Sequence, residues 1–286
     1  MDIDKILKFA VDNGVSDVHL QAGSQPMLRL GDQIRIVEGP ALTDEDMEGF
    51  LESISPKRFA ENLAGAAVQG ADFTHAPPSG VRFRCSAFST MGRFGITMRV
   101  IRSEIPSISD LNLPQVMNDI ALSRRGLTLV TGTTGSGKSM TLAAMIDLIN
   151  NTYRAKIITI EDPVEHLHVN KKALISQLEV GMDTISFDQA LRQALRQDPD
   201  VILVGELRDL ETLRIALRAA DTGHQVFSTV HSANATQTIE RIIAMFPPVE
   251  HKLLLTQLAN SVEAIVSQRL VTGLDGKRRP AVEILR

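Results

Sequence analysis

Downstream of Gly126 the apolar residues come in short continuous runs separated by stretches with helical spacing. Gly126-Leu127-Thr128-Leu129-Val130-Thr131, Lys156-Ile157-Ile158-Thr159-Ile160, Val201-Ile202-Leu203-Val204 and Gln225-Val226-Phe227-Ser228-Thr229-Val230 read as strands buried on both faces. Between them, Met140 to Ile149 carries Leu142, Met145, Ile146 and Ile149 on one helical face, and Leu213, Ala216, Leu217 and Ala220 do the same after Asp209. Ser186-Phe187-Asp188-Gln189 is a capping-box start that predicts a helix to Gln197, ahead of the break at Asp198-Pro199. Alternation of such strands and helices predicts an α/β fold with a mainly parallel sheet.

The first hundred residues follow a different pattern, of α+β type. It predicts a helix over Asp2–Asn13, strands over Asp17–Gln21 and Met27–Leu30, a helix over Thr43–Ile54, and paired strands over Val81–Phe88 and Gly95–Val100. In the first of that pair Arg82, Arg84 and Ser86 alternate with apolar residues, so one face of the sheet is basic, and Arg99 on the neighbouring strand can join it. Pro106 and Pro114 bracket a segment that reads as a connection. The resulting division is 1–102, an N-terminal α+β domain; 103–125, a linker; and 126–286, an α/β domain.

Composition narrows the function classes. With 286 residues, 43% of them hydrophobic, the chain can bury two moderate cores. A net charge of −4, one Tyr and no Trp argue against a nucleic-acid surface, which needs a basic field and stacking aromatics. The single cysteine, Cys85, rules out an internal disulfide and a Cys-based zinc cluster, and suits a buried strand position. No run approaches the roughly 18 apolar residues of a transmembrane helix and the N-terminus lacks a signal-peptide design, so a cytoplasmic location is expected, with any membrane association through partners.

The chemistry is concentrated where the strands end. Gly132-Thr133-Thr134-Gly135-Ser136-Gly137-Lys138-Ser139, followed by Met140, matches the phosphate-binding pattern G-x-x-x-x-G-K-[ST] between a strand and a helix. Glycine is required there because bare backbone must approach phosphates and because the amides at the helix start point at the anion. ATP is the expected ligand. Lys138 would reach its β- and γ-phosphates and the Ser139 hydroxyl would hold Mg²⁺. Glu161-Asp162 and Gly205-Glu206 place acids at two other strand ends, where ligands bind in open α/β sheets. Gly205 stands where an aspartate for Mg²⁺ is usual. Glu161 and Glu206 are both candidates to orient or deprotonate the attacking water, and the residue pattern does not rank them. His231 follows a strand at its phosphate end, whereas His224 precedes the same strand and reads more readily as structural.

Four segments taken together resemble the secretion-type hexameric ATPases: Gly132–Ser139, Ile160-Glu161-Asp162-Pro163-Val164-Glu165-His166, Asp198 to Asp209 with Gly205-Glu206, and Thr222-Gly223-His224 through Thr229-Val230-His231. They correspond to the Walker A, Asp, Walker B and His boxes, and Gly14-Val15-Ser16-Asp17-Val18-His19-Leu20 extends the likeness towards the N-terminus. The resemblance implies a RecA-like P-loop domain behind a smaller PAS-like domain, ATP and Mg²⁺ as ligands, and a homo-oligomeric ring, a hexamer. It implies that Glu206 is catalytic, that Glu161 assists water and magnesium placement, and that His231 senses the γ-phosphate. With nucleotide between protomers, Arg82, Arg84 and Arg99 of one subunit would contact phosphates held by the next, and Arg241, Arg278 and Arg279 are further candidates. The lone cysteine and short N-terminal domain are similar to the retraction-type motors of type IV pili rather than to the zinc-bearing extension type. That implies pilus retraction and twitching motility, at the inner-membrane face, against a membrane platform protein; an accessory retraction ATPase shares the architecture. Two departures stand out: Met140 replaces a second hydroxyl after Lys138, and the family pattern continues past Arg286 with a helical region carrying a retraction motif, so a truncated ATPase domain is expected. A nucleic-acid-driven RecA-like motor is disfavoured by the net acidity, and a non-hydrolysing ring subunit by the presence of both Glu161 and Glu206.

Overall fold

The computed structural model describes residues 3–31, 33–56, 63–77, 81–101, 105–274, 276 and 278–286. Backbone contacts gather the chain into two compact units, Met1–Ser103 and Glu104–Arg286. Residues 102–104, where the expected boundary falls, and Asp2, the expected start of the first helix, lie outside the described residues.

In the first unit β1 (Asp17–Gln21), β2 (Met27–Leu30), β3 (Gln33–Ile36), β4 (Ala71–His75), β5 (Arg82–Thr90) and β6 (Arg93–Ile101) form an antiparallel sheet in the order β3-β2-β1-β6-β5-β4. Its inner face takes Val18, Leu20, Phe73, Phe83, Cys85 and Met98, and against them pack Ile6, Leu7 and Ala10 of the Ile3–Asp12 helix and Met47 and Leu51 of the Asp44–Ile54 helix. The second helix starts where it does because Thr43 and Asp46 cap each other: Thr43 Oγ1 accepts from the Asp46 amide at 3.0 Å and Asp46 Oδ2 accepts from the Thr43 amide at 2.9 Å.

The outer face is polar. Strand register sets Arg29, Asp17, Arg99 and Arg84 side by side across β2, β1, β6 and β5. Arginines directly opposite each other repel, and the Arg84–Arg99 pair is offset by Asp17, whose Oδ1 accepts from Arg99 Nε at 2.8 Å while Ser16 Oγ donates to its Oδ2 at 2.8 Å. Burial raises the Asp17 pKa, but the bonds from Arg99 and Ser16 outweigh it and hold the carboxyl below its ordinary value.

The second unit carries β7 (Gly126–Thr131), β8 (Lys156–Glu161), β9 (Leu174–Glu179), β10 (Val201–Val204), β11 (Gln225–Val230), β12 (Val262–Thr272) and β13 (Arg278–Leu285) in the order β13-β12-β7-β11-β10-β8-β9. Every neighbouring pair is parallel except β12 and β13. Period-two alternation sends Leu127, Leu129, Ile158, Ile160, Ile202 and Val204 to one face, against the Phe187–Ala194 and Leu210–Asp221 helices. Val130, Ile157, Val201, Leu203 and Phe227 go to the other, against the Lys138–Thr152 helix. Both faces are covered, which is why the strands read as unbroken apolar runs.

Two expectations need correction. Residues 105–125, read as linker from their prolines, fold onto the second unit: Ile108, Leu113, Met117 and Ile120 are buried with Met145 and Phe227, and Val116–Ala121 is a helix. The prolines mark turns, but the apolar residues between and after them decide where the segment packs. The helix expected to reach Gln197 ends at Ala194, and a turn with Gln197 N bonded to Ala194 O leads into Asp198 at φ 53°.

The Asp17–Arg99 pair gives a pH-dependent prediction. Because the folded-state pKa of Asp17 is depressed, its contribution is complete above the unfolded-state pKa and is lost as pH falls through the folded one. Asp17→Asn should destabilise the first unit at pH 7 by about 1 kcal/mol, below the usual worth of a charge-assisted bond and at the upper end for an exposed ion pair, because Arg99 is 67% exposed. Urea unfolding should show the difference at pH 7 and show it shrinking as pH falls through the folded-state pKa of Asp17.

Candidate phosphate-binding site

The Gly132–Lys138 turn leaves the end of β7 and enters the Lys138–Thr152 helix, with Gly137 at the N-cap. Gly132, Gly135 and Gly137 have φ of 146°, 77° and 89°, a region that L side chains avoid. Space is as restrictive as dihedral angle. A Cβ at Gly132 would collide with the Gln268 carbonyl oxygen and stand 2.5 Å from Ser136 Oγ, and one at Gly137 would stand 2.8 Å from Gln268 Nε2. Lys138 Nζ donates to the carbonyls of Gly132 and Thr133, each at 3.0 Å, so the ammonium lies over the turn. Burial pulls the Lys138 pKa down, and Glu206 and Glu165 act in the opposite direction. Ser136 is 3% exposed, and its Oγ has no hydrogen-bond partner among the described residues. Bare amides at a helix start, a buried ammonium and an orphaned hydroxyl make a set that fits a phosphate group. Thr133, Thr134, Gly135 and Ser139 are exposed along the turn, and Met140 is half-buried behind them.

The other strand ends bring acids and bases to the same edge of the sheet. Glu206 follows β10, and its Oε2 receives Arg208 Nε at 2.8 Å while His231 Nε2 stands 3.6 Å from Oε1. Arg208 also reaches Asp162, at 3.8 Å. Gly205, in the place of the usual aspartate, is held by a 2.8 Å bond from its amide to Ile160 O, and a Cβ there would lie 3.2 Å from that oxygen. β10 therefore approaches β8 too closely for a larger residue to sit without displacement. Glu161 ends β8 and is held at one oxygen, which accepts from Thr159 Oγ1 at 2.7 Å and Gln177 Nε2 at 3.3 Å. Burial pushes its pKa up, against those two bonds. Arg241, on the Ala235–Ala244 helix, donates from Nη1 to His231 O at 2.7 Å, so within its own chain it fixes the His231 segment.

Lys138, Glu206, His231, Glu161 and Arg241 thus belong to one unit, on the segments at the carboxyl ends of β7, β8, β10 and β11. Arg82, Arg84 and Arg99 belong to the outer face of the first unit's sheet. His224 is at the opposite end of β11, with Nδ1 3.0 Å from Ala219 O, and is structural there. Among the described residues no group of three or more His, Cys, Asp or Glu is placed to hold a metal ion, and no helix is long and apolar enough to cross a membrane.

Sequence reasoning passed over Arg208, Gln177 and Gln268. The signal for Arg208 was its place two residues after Glu206. Gln268 was legible as a polar residue inside the apolar β12 run, yet its reach to the turn depends on sheet order, which local pattern does not carry.

Comparison with known proteins shows the family of the chain. A family model described as type II/IV secretion system protein matches residues 1–283. The type IV pilus retraction ATPase PilT of Pseudomonas aeruginosa is 43% identical over 289 residues, which cover 100% of this chain and 82% of that protein. The type IV pilus ATPase PilU of the same organism is 39% identical, over 100% of this chain and 74% of its own length. A crystal structure of the pilus retraction motor PilT with bound ADP superimposes with a TM-score of 0.94 at 43% identity, covering 100% of this chain and 83% of that one. The family match and the superposition both run over nearly the whole chain, and the chain belongs to the type II/IV secretion system protein family, with a RecA-like P-loop domain following an N-terminal domain.

Proposed function

We propose that the protein hydrolyses ATP as a ring-forming motor that retracts type IV pili. The observation that carries this reading is the Glu206 cluster, a carboxylate set between Arg208 and His231 on the same sheet edge as the Lys138 turn. Phosphoryl transfer needs charge neutralisation and a positioned water rather than covalent help from the protein. The turn amides and Lys138 neutralise charge on the phosphates. Ser139 is the residue that would hold Mg²⁺, which would supply further neutralisation of the phosphate charge when bound. Burial raises the Glu161 pKa against its hydrogen bonds, whereas Glu206 stands within reach of Arg208 and His231 on the edge that carries the Lys138 turn. This supports Glu206 as the base, with Glu161 oriented by Thr159 and Gln177.

Work on a pilus requires coupling between copies. In the proposed hexamer the Arg84 and Arg99 face of one subunit meets phosphates bound by the next, with Arg82 beside them, a contribution of order ~10³- to 10⁵-fold in rate for such arginines. The 43% identity to PilT over the whole of this chain supports retraction; the proposed place of action is the cytoplasmic face of the inner membrane, against a platform protein. The 39% identity to PilU supports the second reading, an accessory retraction motor with the same site.

Two measurements test the proposal. Glu206→Gln should bind ATP with near wild-type affinity yet turn over ~10² to 10⁴ times more slowly; a more severe lesion in Glu161→Gln with Glu206→Gln active reverses the assignment. Lys138→Ala and Arg84→Ala, each inactive alone, should recover part of the ATPase rate when mixed, since a boundary joining an intact turn to an intact arginine face is complete. No recovery, with a rate per protomer independent of concentration, rejects the shared site.

A further inference from the structure

We propose that Gln268 is a positioning residue for nucleotide phosphates: its side-chain amide clamps the phosphate turn onto β12. The inference rests on the reading of the turn as a nucleotide site. Gln268 is the first residue of β12 beyond the last pairing with β7, Ser267 with Thr131, so it stands beside the point where β7 gives way to the turn. It is 2% exposed, and its backbone is held on the outer side by pairing with Val282 of β13. Nε2 donates to Ser136 O at 2.8 Å, and Oε1 accepts from Thr141 Oγ1 at 2.8 Å. The amide therefore spans the turn and the first helical turn after it, and the Ser136 carbonyl, which can only accept, fixes Nε2 as the end that faces it, leaving Oε1 to accept from the Thr141 hydroxyl.

The chemistry of anion binding explains why the clamp matters. Peptide planes in the turn present N–H groups to the phosphates only if their carbonyls point away, and a carbonyl pointing into a buried sheet edge needs a donor. Gln268 supplies that donor to Ser136, the residue whose own hydroxyl is orphaned in the turn. The same residue limits Gly132 through its carbonyl oxygen and Gly137 through Nε2. One side chain and its backbone thus touch the turn at its start, middle and end. Its effect belongs to binding of the phosphates, not to water activation at Glu206.

Calorimetric titration of MgADP into the full chain tests this, with Gln268→Ala and Gln268→Glu beside the wild type. Loss of the donor to a buried carbonyl should weaken MgADP by about 10- to 100-fold in Gln268→Ala, and steady-state assays should show KM for ATP rising by more than kcat falls. Gln268→Glu keeps the shape and the acceptor for Thr141 but turns a carboxylate on Ser136 O. Its deficit relative to wild type should be largest at pH ~8 and shrink as pH falls towards ~5, because burial beside the Ser136 carbonyl raises the pKa of a carboxyl placed there and a protonated carboxyl donates as the amide does. Melting of the nucleotide-free variants close to wild type shows that the fold is retained; should Gln268→Ala unfold, the pH course of Gln268→Glu decides alone. Wild-type affinity in both variants, or a Gln268→Glu deficit that does not change with pH, overturns the clamp. A wild type that does not bind MgADP instead rejects the nucleotide reading itself.

Discussion

Where the turn after β7 meets β12 there is no room for a side chain at Gly132 or Gly137, and both residues hold a φ that only glycine takes without strain. That restriction is what lets backbone amides, rather than side chains, line the start of the Lys138–Thr152 helix. Much of the second unit serves to maintain it. β7 must be central enough to be held on both sides, by β11 and β12, so that the turn leaves from a fixed point. β12 must run past the end of β7 to bring Gln268 alongside, and β13 must pair with it to keep that extension straight. Lys138 then has a defined place above the Gly132 and Thr133 carbonyls.

The strand-end acids and His231 enter the same frame by a second route, parallel strand order. β8, β10 and β11 are adjacent and point the same way, so the residues just beyond them converge without being close in sequence. The close approach of β10 to β8 at Gly205 sets Glu206 beside the segment that carries Glu161. Their environments then diverge: Glu161 is desolvated and bonded by neutral donors, whereas Glu206 lies between a guanidinium and an imidazole. Two carboxyls with different surroundings can carry different roles, which is the basis of the proposed assignment of Glu206 as the base.

The strands β7, β8, β10 and β11 and the helices between them were legible because burial on both faces leaves an unambiguous apolar run, and because Ser186 and Asp209 announce helix starts. The phosphate turn was legible for a different reason: its glycines are demanded by positive φ and by the close approach of β12, which leaves a fixed spacing independent of hydrophobic periodicity. β3, all of whose residues are exposed, has no burial pattern to show, and residues 105–125 look like a connection because their packing partners are remote in sequence. Arg99 was visible as part of a basic face, but its pairing with Asp17 depends on the β1–β6 register, and the Gln268 contact on the β12–β7 register. Long-range register is the information that local pattern lacks.

The central claim, that bare backbone at the turn creates the phosphate site, is tested most directly by titrating MgADP into Gly132→Ala while melting verifies that the protein remains folded. The account predicts binding lost or weakened by at least ~100-fold, since the added methyl must displace the Gln268 carbonyl and the turn with it. Wild-type affinity in a folded Gly132→Ala protein would contradict it, because the phosphates would then be held by something other than the geometry of this turn.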